Sequence, residues 1–419
     1  MAKELKVNFD RIKDRIKEVN QFGKSPDGGW ARFSFSESYE AVIKLVTKYM
    51  EEAGMRVERD AAGNTVGCLE GKEANAPAVC AGSHLDTVKN GGMFDGVLGV
   101  ISAIEAATVI SENDCLLIHP LKVFVFIEEE GGRFGNSLFG SRAKAGLVDE
   151  DLDEVKDSQG KSLADAMSEN GLDPKALSQA VINSADYKSY FEMHIEQARV
   201  LEECQKTVGI VEGIAGFYFI KVLIFGRSDH AGATPMDLRS DALVPAAKII
   251  YEIENIANQS AGANTVATVG KIKVHPGATN IIPGQVEFTV DVRDLEEGNI
   301  KFVIEEIGKL LEKECKARNL RYSVEKLTEA KPVKLLKNKL DLLESISIER
   351  GIPYKKLVSG AAHDAQVMAK LMEVGMLFVP SLDGVSHSPE ESSRYEDIAD
   401  AAQILCDAIV KEALTAQFS

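Results

Sequence analysis

Apolar side chains recur at helical spacing over residues 38–54 and stop at Gly54, which predicts a helix. Residues 56–69 then read as extended segments around the turn Gly63-Asn64. Two short apolar runs, residues 76–82 and 121–127, have the continuous hydrophobicity of strands buried on both faces, and the stretch 97–109 between them is helix-like. Strand, helix, strand implies a parallel α/β sheet. Residues 149–180 are polar and predict surface helices and loops, after which 190–194 returns to the core as a strand. The pattern changes at Ile214. Alternation at Phe217, Phe219, Lys221 and Leu223, a helix near 240–257, strands at 265–274 and 285–293, a helix over 297–318 and a strand near 321–327 predict a separate α+β domain. Lys331-Pro332 leads back, and helices at 338–350 and 363–373, a strand at 376–380 and a C-terminal helix resume the first layer. The predicted organisation is a mostly parallel α/β domain of residues 1–213 and 330–419, interrupted by an inserted α+β domain of residues 214–329. No internal repeat or low-complexity segment occurs.

A length of 419 residues exceeds the size at which single cores usually stop growing, in keeping with two domains. The formal charge of -17 would repel phosphate backbones, and no Lys/Arg run with interleaved aromatics is present, so no nucleic-acid partner is expected. The opening residues are charged at helical spacing, and no stretch of 18 apolar residues exists, so neither secretion nor a membrane is expected and the cytoplasm is. Cys68, Cys80, Cys115, Cys204, Cys315 and Cys406 form no CxxC pair and read as reduced, inert thiols.

Chemistry-bearing residues gather where apolar runs end. Ser83-His84-Leu85-Asp86-Thr87 closes the first run, and Asn90-Gly91-Gly92-Met93-Phe94-Asp95-Gly96 follows, so His84 and Asp95 flank a glycine-rich turn. Imidazole and carboxylate are ligands that zinc accepts, and Asp86 is placed to take the other ring N–H of His84. Taken alone, Asp95 reads better as a capping or first-turn acid of the helix near Val97; its nearness to His84 makes it a candidate ligand. The second run leads without a gap into Glu128-Glu129-Glu130-Gly131-Gly132. Adjacent acids beside a cation can divide labour, one ligating and the next activating water. Glu130 is read as the ligand, Glu129 as the base and Glu128 as a solvated strand end, although spacing alone does not select which two of the three face a metal. His194 and His387 each follow a predicted strand. A lone histidine is more often a hydrogen-bonded structural residue, which is the reading kept for His119 and His275. In the inserted domain, His230 lies in a loop of small residues, and Asn280 and Arg293 lie at strand ends. Arg293 could grip a carboxylate through its fork, or simply pair with Asp291 or Asp294.

The segments GSHLDTVKNGGMFDG, EEEGGRFGNSLFGS, HIEQARVLE, GRSDHAGATPMDLRSDAL, TNIIPG, DVRD, SGAAHDAQ and DGVSHSPEE follow one another nearly end to end. Through them the chain resembles the amidase, hydantoinase and carbamoylase branch of metallopeptidase family M20. The resemblance implies a zinc-hydrolase catalytic domain holding two divalent ions, zinc foremost, with manganese, cobalt or nickel as alternatives. Asp95 would bridge, His84 and His194 would serve one or other ion, and Glu130 and His387 would complete the set. Glu129 would act as general base for water attacking an amide or ureido carbonyl, and His230, supplied by the partner's lid in a homodimer, would stabilise the oxyanion. Gln197, Asn280 and Arg293 match positions that hold substrate, with the loop Gly360-Ala361-Ala362-His363 close by, and the inserted domain becomes a lid and dimerisation element. His363 itself is read as structural. Ala198 stands where HIEQG is usual and Ala362 replaces the glycine of SGAGHD, each adding a methyl group near a substrate loop. The implied reaction is hydrolysis of an N-carbamoyl-L-amino acid to the amino acid, carbon dioxide and ammonia. Allantoate is the near alternative, since it also offers a ureido group and a carboxylate. Peptide or acyl-amino-acid hydrolysis ranks behind, because Gln197 within HIEQ favours a ureido group. A binding protein that merely closes over a small acid would have no use for Glu129.

Overall fold

The computed structural model describes residues 5–73, 75–259 and 262–415. Its strands in chain order are β1 (Arg56–Arg59), β2 (Thr65–Leu69), β3 (Ala78–His84), β4 (Leu121–Phe126), β5 (Tyr187–Ile195), β6 (Val208–Ile214), β7 (Gly216–Phe225), β8 (Val266–His275), β9 (Gln285–Asp294), β10 (Arg321–Ala330), β11 (Val333–Lys334), β12 (Tyr354–Ser359) and β13 (Glu373–Val379). They form two sheets, one ordered β1-β2-β4-β3-β5-β13-β6-β11 with β12 on β6, the other ordered β10-β7-β9-β8. The chain divides into two compact units: Met1–Glu212 with Leu335–Leu357 and Ala362–Ser419, and Gly213–Lys334 with Val358–Ala361.

In the first unit the centre of the sheet, β4-β3-β5-β13, is parallel throughout, flanked by antiparallel β2 and β6. Every residue of β3 is buried, as its uninterrupted apolar run requires. Parallel strands deliver their C-terminal ends to one edge, where ligand sites of open α/β sheets form. The Val97–Glu112 helix is buried at every position from Val97 to Ile110. It is apolar all round, so it needs neighbours on several sides, and it packs against β3 to β5 and against the Phe9–Val19, Glu37–Glu52 and Tyr395–Leu414 helices. One charge inside this layer, Glu105, is fully buried and accepts from the Asn8 N–H at 2.7 Å and Arg11 Nε at 2.6 Å.

Backbone passes very close to backbone just before the first site residue. Gly82 has φ +153, and a Cβ there would lie 2.0 Å from the Phe124 carbonyl oxygen on β4. Neither strand can retreat without breaking the sheet. Gly82→Ala is therefore expected to destabilise the protein by on the order of 3 kcal/mol, read as a fall in Tm; an unchanged Tm would show that β3 and β4 can separate locally.

The second unit sets the Leu243–Gln259 and Glu297–Lys316 helices on its antiparallel sheet, joining Ile220, Val222, Ile224, Phe288 and Val290 to Ile249, Ile253, Val303, Ile307 and Leu311. The core face of β7 is thus the even-numbered one, opposite to the Phe217, Phe219, Lys221, Leu223 face that the alternation emphasised. Phe217 and Phe219 instead lie under Arg293, whose guanidinium carbon is 5.7 and 5.4 Å from the two ring centroids. The predicted helix over 363–373 is in fact the short Asp364–Met368 helix, because Glu373 already begins β13. Three strands were not foreseen: β6 carries two glycines, β11 has only two residues, and the paired lysines of β12 mask its half-buried face.

Candidate metal centre

His84 ends β3, Glu129 and Glu130 follow β4, and His194 lies near the end of β5, so three strands bring these residues to one edge. His387 arrives on the loop after β13, and Asp95 on the glycine-rich loop before the Val97–Glu112 helix. Asp95 does not cap that helix; Gly96 takes the N-cap position, with φ +66, and no side-chain cap bond is made. A Cβ on Gly96 would sit 2.5 Å from the His84 ring, so the loop closes directly over the imidazole.

Two donor groups result, His84 with Asp95 and His194, and Asp95 with Glu130 and His387. Asp95 Oδ1 is 3.3 Å from His84 Nε2 and 3.1 Å from His194 Nε2, and the two imidazole nitrogens are 3.4 Å apart. Asp95 Oδ2 faces the other way, 3.6 Å from His387 Nε2, which is 3.4 Å from Glu130 Oε2. Nitrogen and oxygen ligands about 2.0–2.1 Å from a tetrahedral ion lie about 3.4 Å from one another, so both donor groups fit a divalent cation. The first group is buried, whereas the His387 side chain is 48% exposed, so the second group is the one open to solvent.

Asp86 departs from the reading given to it. The Nδ1 of His84 is 3.1 Å from the backbone oxygen of Asp86 and 3.8 Å from its carboxylate, so the main chain is the nearer partner of the ring. The Asp86 carboxylate accepts instead from the N–H groups of Glu129 and Glu130, at 3.2 and 3.1 Å, and so holds the strand end that carries both acids. Glu128 is also corrected: far from being solvated, it is fully buried and accepts from Ser34 and from the Phe134 N–H. It belongs to neither donor group and, through the Phe134 N–H, anchors the acidic turn. Glu129 belongs to neither donor group, and its Oε2 lies 3.6 Å from His84 Nε2.

Gln197 reaches this site, donating to Asp95 Oδ2 at 2.8 Å, and Ser386, which the sequence reading passed over beside His387, donates to the same oxygen at 3.3 Å. Ala362 precedes the buried His363, whose ring packs 4.6 Å from that of His194. His119 is structural, its ring nitrogens 2.7 Å and 3.1 Å from the carbonyls of Pro77 and Thr415.

Burial, reinforced by neighbouring carboxylates, pushes Glu129 and Glu130 well above the ordinary range. Burial opposes a charge on His84, yet Glu129, Asp95 and Asp86 raise it well above the usual imidazole value. Each of these shifts favours the protonated form of its group. A cation must expel these protons, so metal affinity is expected to rise with pH, with net proton release visible by calorimetry in buffers of different ionisation enthalpy. Binding that is independent of pH and buffer would contradict this.

The other candidates belong to the second unit. His230 is exposed and its Nδ1 accepts from the N–H groups of Gly232 and Ala233, both at 3.1 Å. Its loop is bonded to that of Asn280, through Ala231 N–H to the Asn280 carbonyl at 2.9 Å. Arg293 pairs with Asp291 at 2.9 Å and donates to the Gly360 carbonyl at 2.7 Å.

A carboxylate shared by two candidate donor groups beside parallel strand ends, with a buried acid that belongs to neither group, suits a metal-dependent hydrolase. Residues 80–411 match Peptidase family M20/M25/M40, and the chain belongs to that family. It is 44% identical over 399 residues to an N-carbamoyl-L-amino acid amidohydrolase of Geobacillus stearothermophilus, covering 95% of this chain and 97% of that one. It is 36% identical over 421 residues to an allantoate deiminase of Arabidopsis thaliana, covering 94% and 80%. A crystal structure of an amidase of the hydantoinase/carbamoylase family from Burkholderia multivorans matches with a TM-score of 0.92 at 30% identity, covering 99% of this chain and 100% of the other. The chain is a hydrolase acting on carbon–nitrogen bonds other than peptide bonds.

Proposed function

We propose that this enzyme cleaves the ureido carbon–nitrogen bond of an N-carbamoyl-L-amino acid, using two divalent ions, zinc foremost, held by His84, Asp95 and His194 and by Asp95, Glu130 and His387. The observation that carries the reading is Asp95, whose two oxygens face two different donor groups. Bound there, the ions would supply the positive charge that polarises a carbonyl and acidifies water. Glu129 takes the proton of the attacking water and returns it to the departing nitrogen; the carbamate left behind falls to carbon dioxide and the second amine. His230 accepts hydrogen bonds at Nδ1, which fixes the proton on Nε2 and makes that nitrogen a donor suited to an oxyanion. Arg293 and Asn280 hold the substrate carboxylate, Gln197 the ureido group, and the loop at Ala362 borders the pocket.

The second unit serves as lid and dimerisation element, with a partner's His230 completing each site. Six unpaired thiols, four of them buried, favour the cytoplasm. Among the described residues no helix is long and apolar enough to cross a membrane.

Ammonia release by metal-replete enzyme should be compared on N-carbamoyl-L-methionine, its D isomer, N-carbamoyl-β-alanine and allantoate, with free methionine followed from N-acetyl-L-methionine. Turnover of the L-carbamoyl compound is expected. Turnover of allantoate alone would replace the substrate by the alternative named above, which the Arabidopsis relative favours.

A further inference from the structure

Glu391 is a buried carboxylate that the proposed reaction leaves unused. This residue is buried at 4% exposure, four positions beyond His387. Its Oε1 accepts from two consecutive main-chain N–H groups, those of Phe94 at 2.8 Å and Asp95 at 3.1 Å. Its Oε2 is buried without a hydrogen-bond partner. A glutamate enclosed in this way is costly unless its position does something. The glycine-rich loop is shaped to receive it: a Cβ at Gly92 would fall 2.1 Å from Glu391 Cδ and 2.5 Å from its Cβ. The same loop is braced from the opposite side, where Asn20 donates to the Met93 carbonyl at 2.8 Å and Trp30 exchanges main-chain bonds with Gly91 at 3.0 and 2.8 Å.

We infer that Glu391 is a positioning residue that ties the main chain of Asp95 to the loop carrying His387, and so fixes the spacing within the donor group Asp95, Glu130 and His387. His84 and His194 sit on adjacent sheet strands whose ladder already sets their separation. Asp95 and His387 have no such ladder; each comes from a loop, and while the Ser386 hydroxyl reaches the Asp95 side chain at 3.3 Å, Glu391 ties the His387 loop to the main chain of Phe94 and Asp95. Losing the link loosens the second donor group more than the first. The acceptor oxygen, not the negative charge, performs this role, because both partners are peptide N–H groups.

This rests on the two-ion reading, and its test separates the two. Metal-stripped full-length protein is titrated with zinc against a chromophoric chelator, giving stoichiometry and both affinities for wild type, Glu391→Gln, Glu391→Ala and Gly92→Ala. Glutamine keeps an acceptor oxygen and should hold both affinities within about threefold of wild type. Alanine should weaken the weaker-bound ion by the 10–100-fold seen on removing groups that orient ligands, roughly, while the tighter ion changes less. Gly92→Ala should act like Glu391→Ala by displacing the carboxylate, which keeps the test open if Glu391→Ala fails to fold. A merely structural glutamate would lower the metal-free Tm and leave the ratio of the two affinities unchanged, and that result overturns the inference. So does a Glu391→Gln variant as impaired as Glu391→Ala. A wild-type protein that binds fewer than two ions overturns the two-ion reading instead.

Discussion

Glu129→Gln is expected to lower kcat by on the order of 10²–10⁴ while both ions remain bound, the range over which positioned general bases act. The side chain is buried, lies outside both donor groups, and stands 3.6 Å from His84 Nε2, beside the groups that would hold the ions. Glutamine preserves its shape and removes only the capacity to accept a proton. Metal content by emission spectroscopy, measured on the same preparation as kcat, decides the matter. Loss of an ion together with turnover would make Glu129 a ligand and return the choice among Glu128, Glu129 and Glu130 to the beginning.

Asp95→Asn is expected to weaken both sites together, by more than the roughly 10–100-fold typical of groups that only orient ligands. Each oxygen of Asp95 serves a different donor group, and the amide offers only one oxygen and no charge. His84 and His194 hold Asp95 well below the carboxylate range despite its burial, so its negative charge is also what offsets the two imidazoles. His387→Ala provides the contrast: it removes a ligand from one group only and should leave one ion bound. If Asp95→Asn also keeps one tight ion, the shared-ligand arrangement is wrong.

The two variants rest on residues read differently from sequence. For Glu129 the apolar run before it already placed an acidic turn at a strand end, and the neighbouring acids made division of labour reasonable. Burial sets one of the three acids aside: Glu128 turns inward to Ser34 and Phe134, which no spacing argument could reveal. Asp95 taken alone looked like a helix-capping acid and became a candidate ligand through its nearness to His84; in the structure Gly96, at φ +66, takes the N-cap position and no side-chain cap bond is made.

Local pattern by itself determined the α/β class and placed His84, the Glu128-Glu129-Glu130 turn and His194 at strand ends, because a buried parallel strand must be a continuous apolar run; the candidate donor set came from the resemblance, since spacing did not choose among the three acids. Tertiary structure alone decided which donors group together, that Asp86 holds a main-chain turn, that Arg32 reaches the Leu85 carbonyl at 3.0 Å, and that Glu391 holds Asp95 from nearly 300 positions away, 296 by sequence separation. These contacts join side chains to peptide groups far along the chain. Every residue carries such a peptide group, so the partner leaves no mark in the sequence, and only the folded path of the backbone brings the two together.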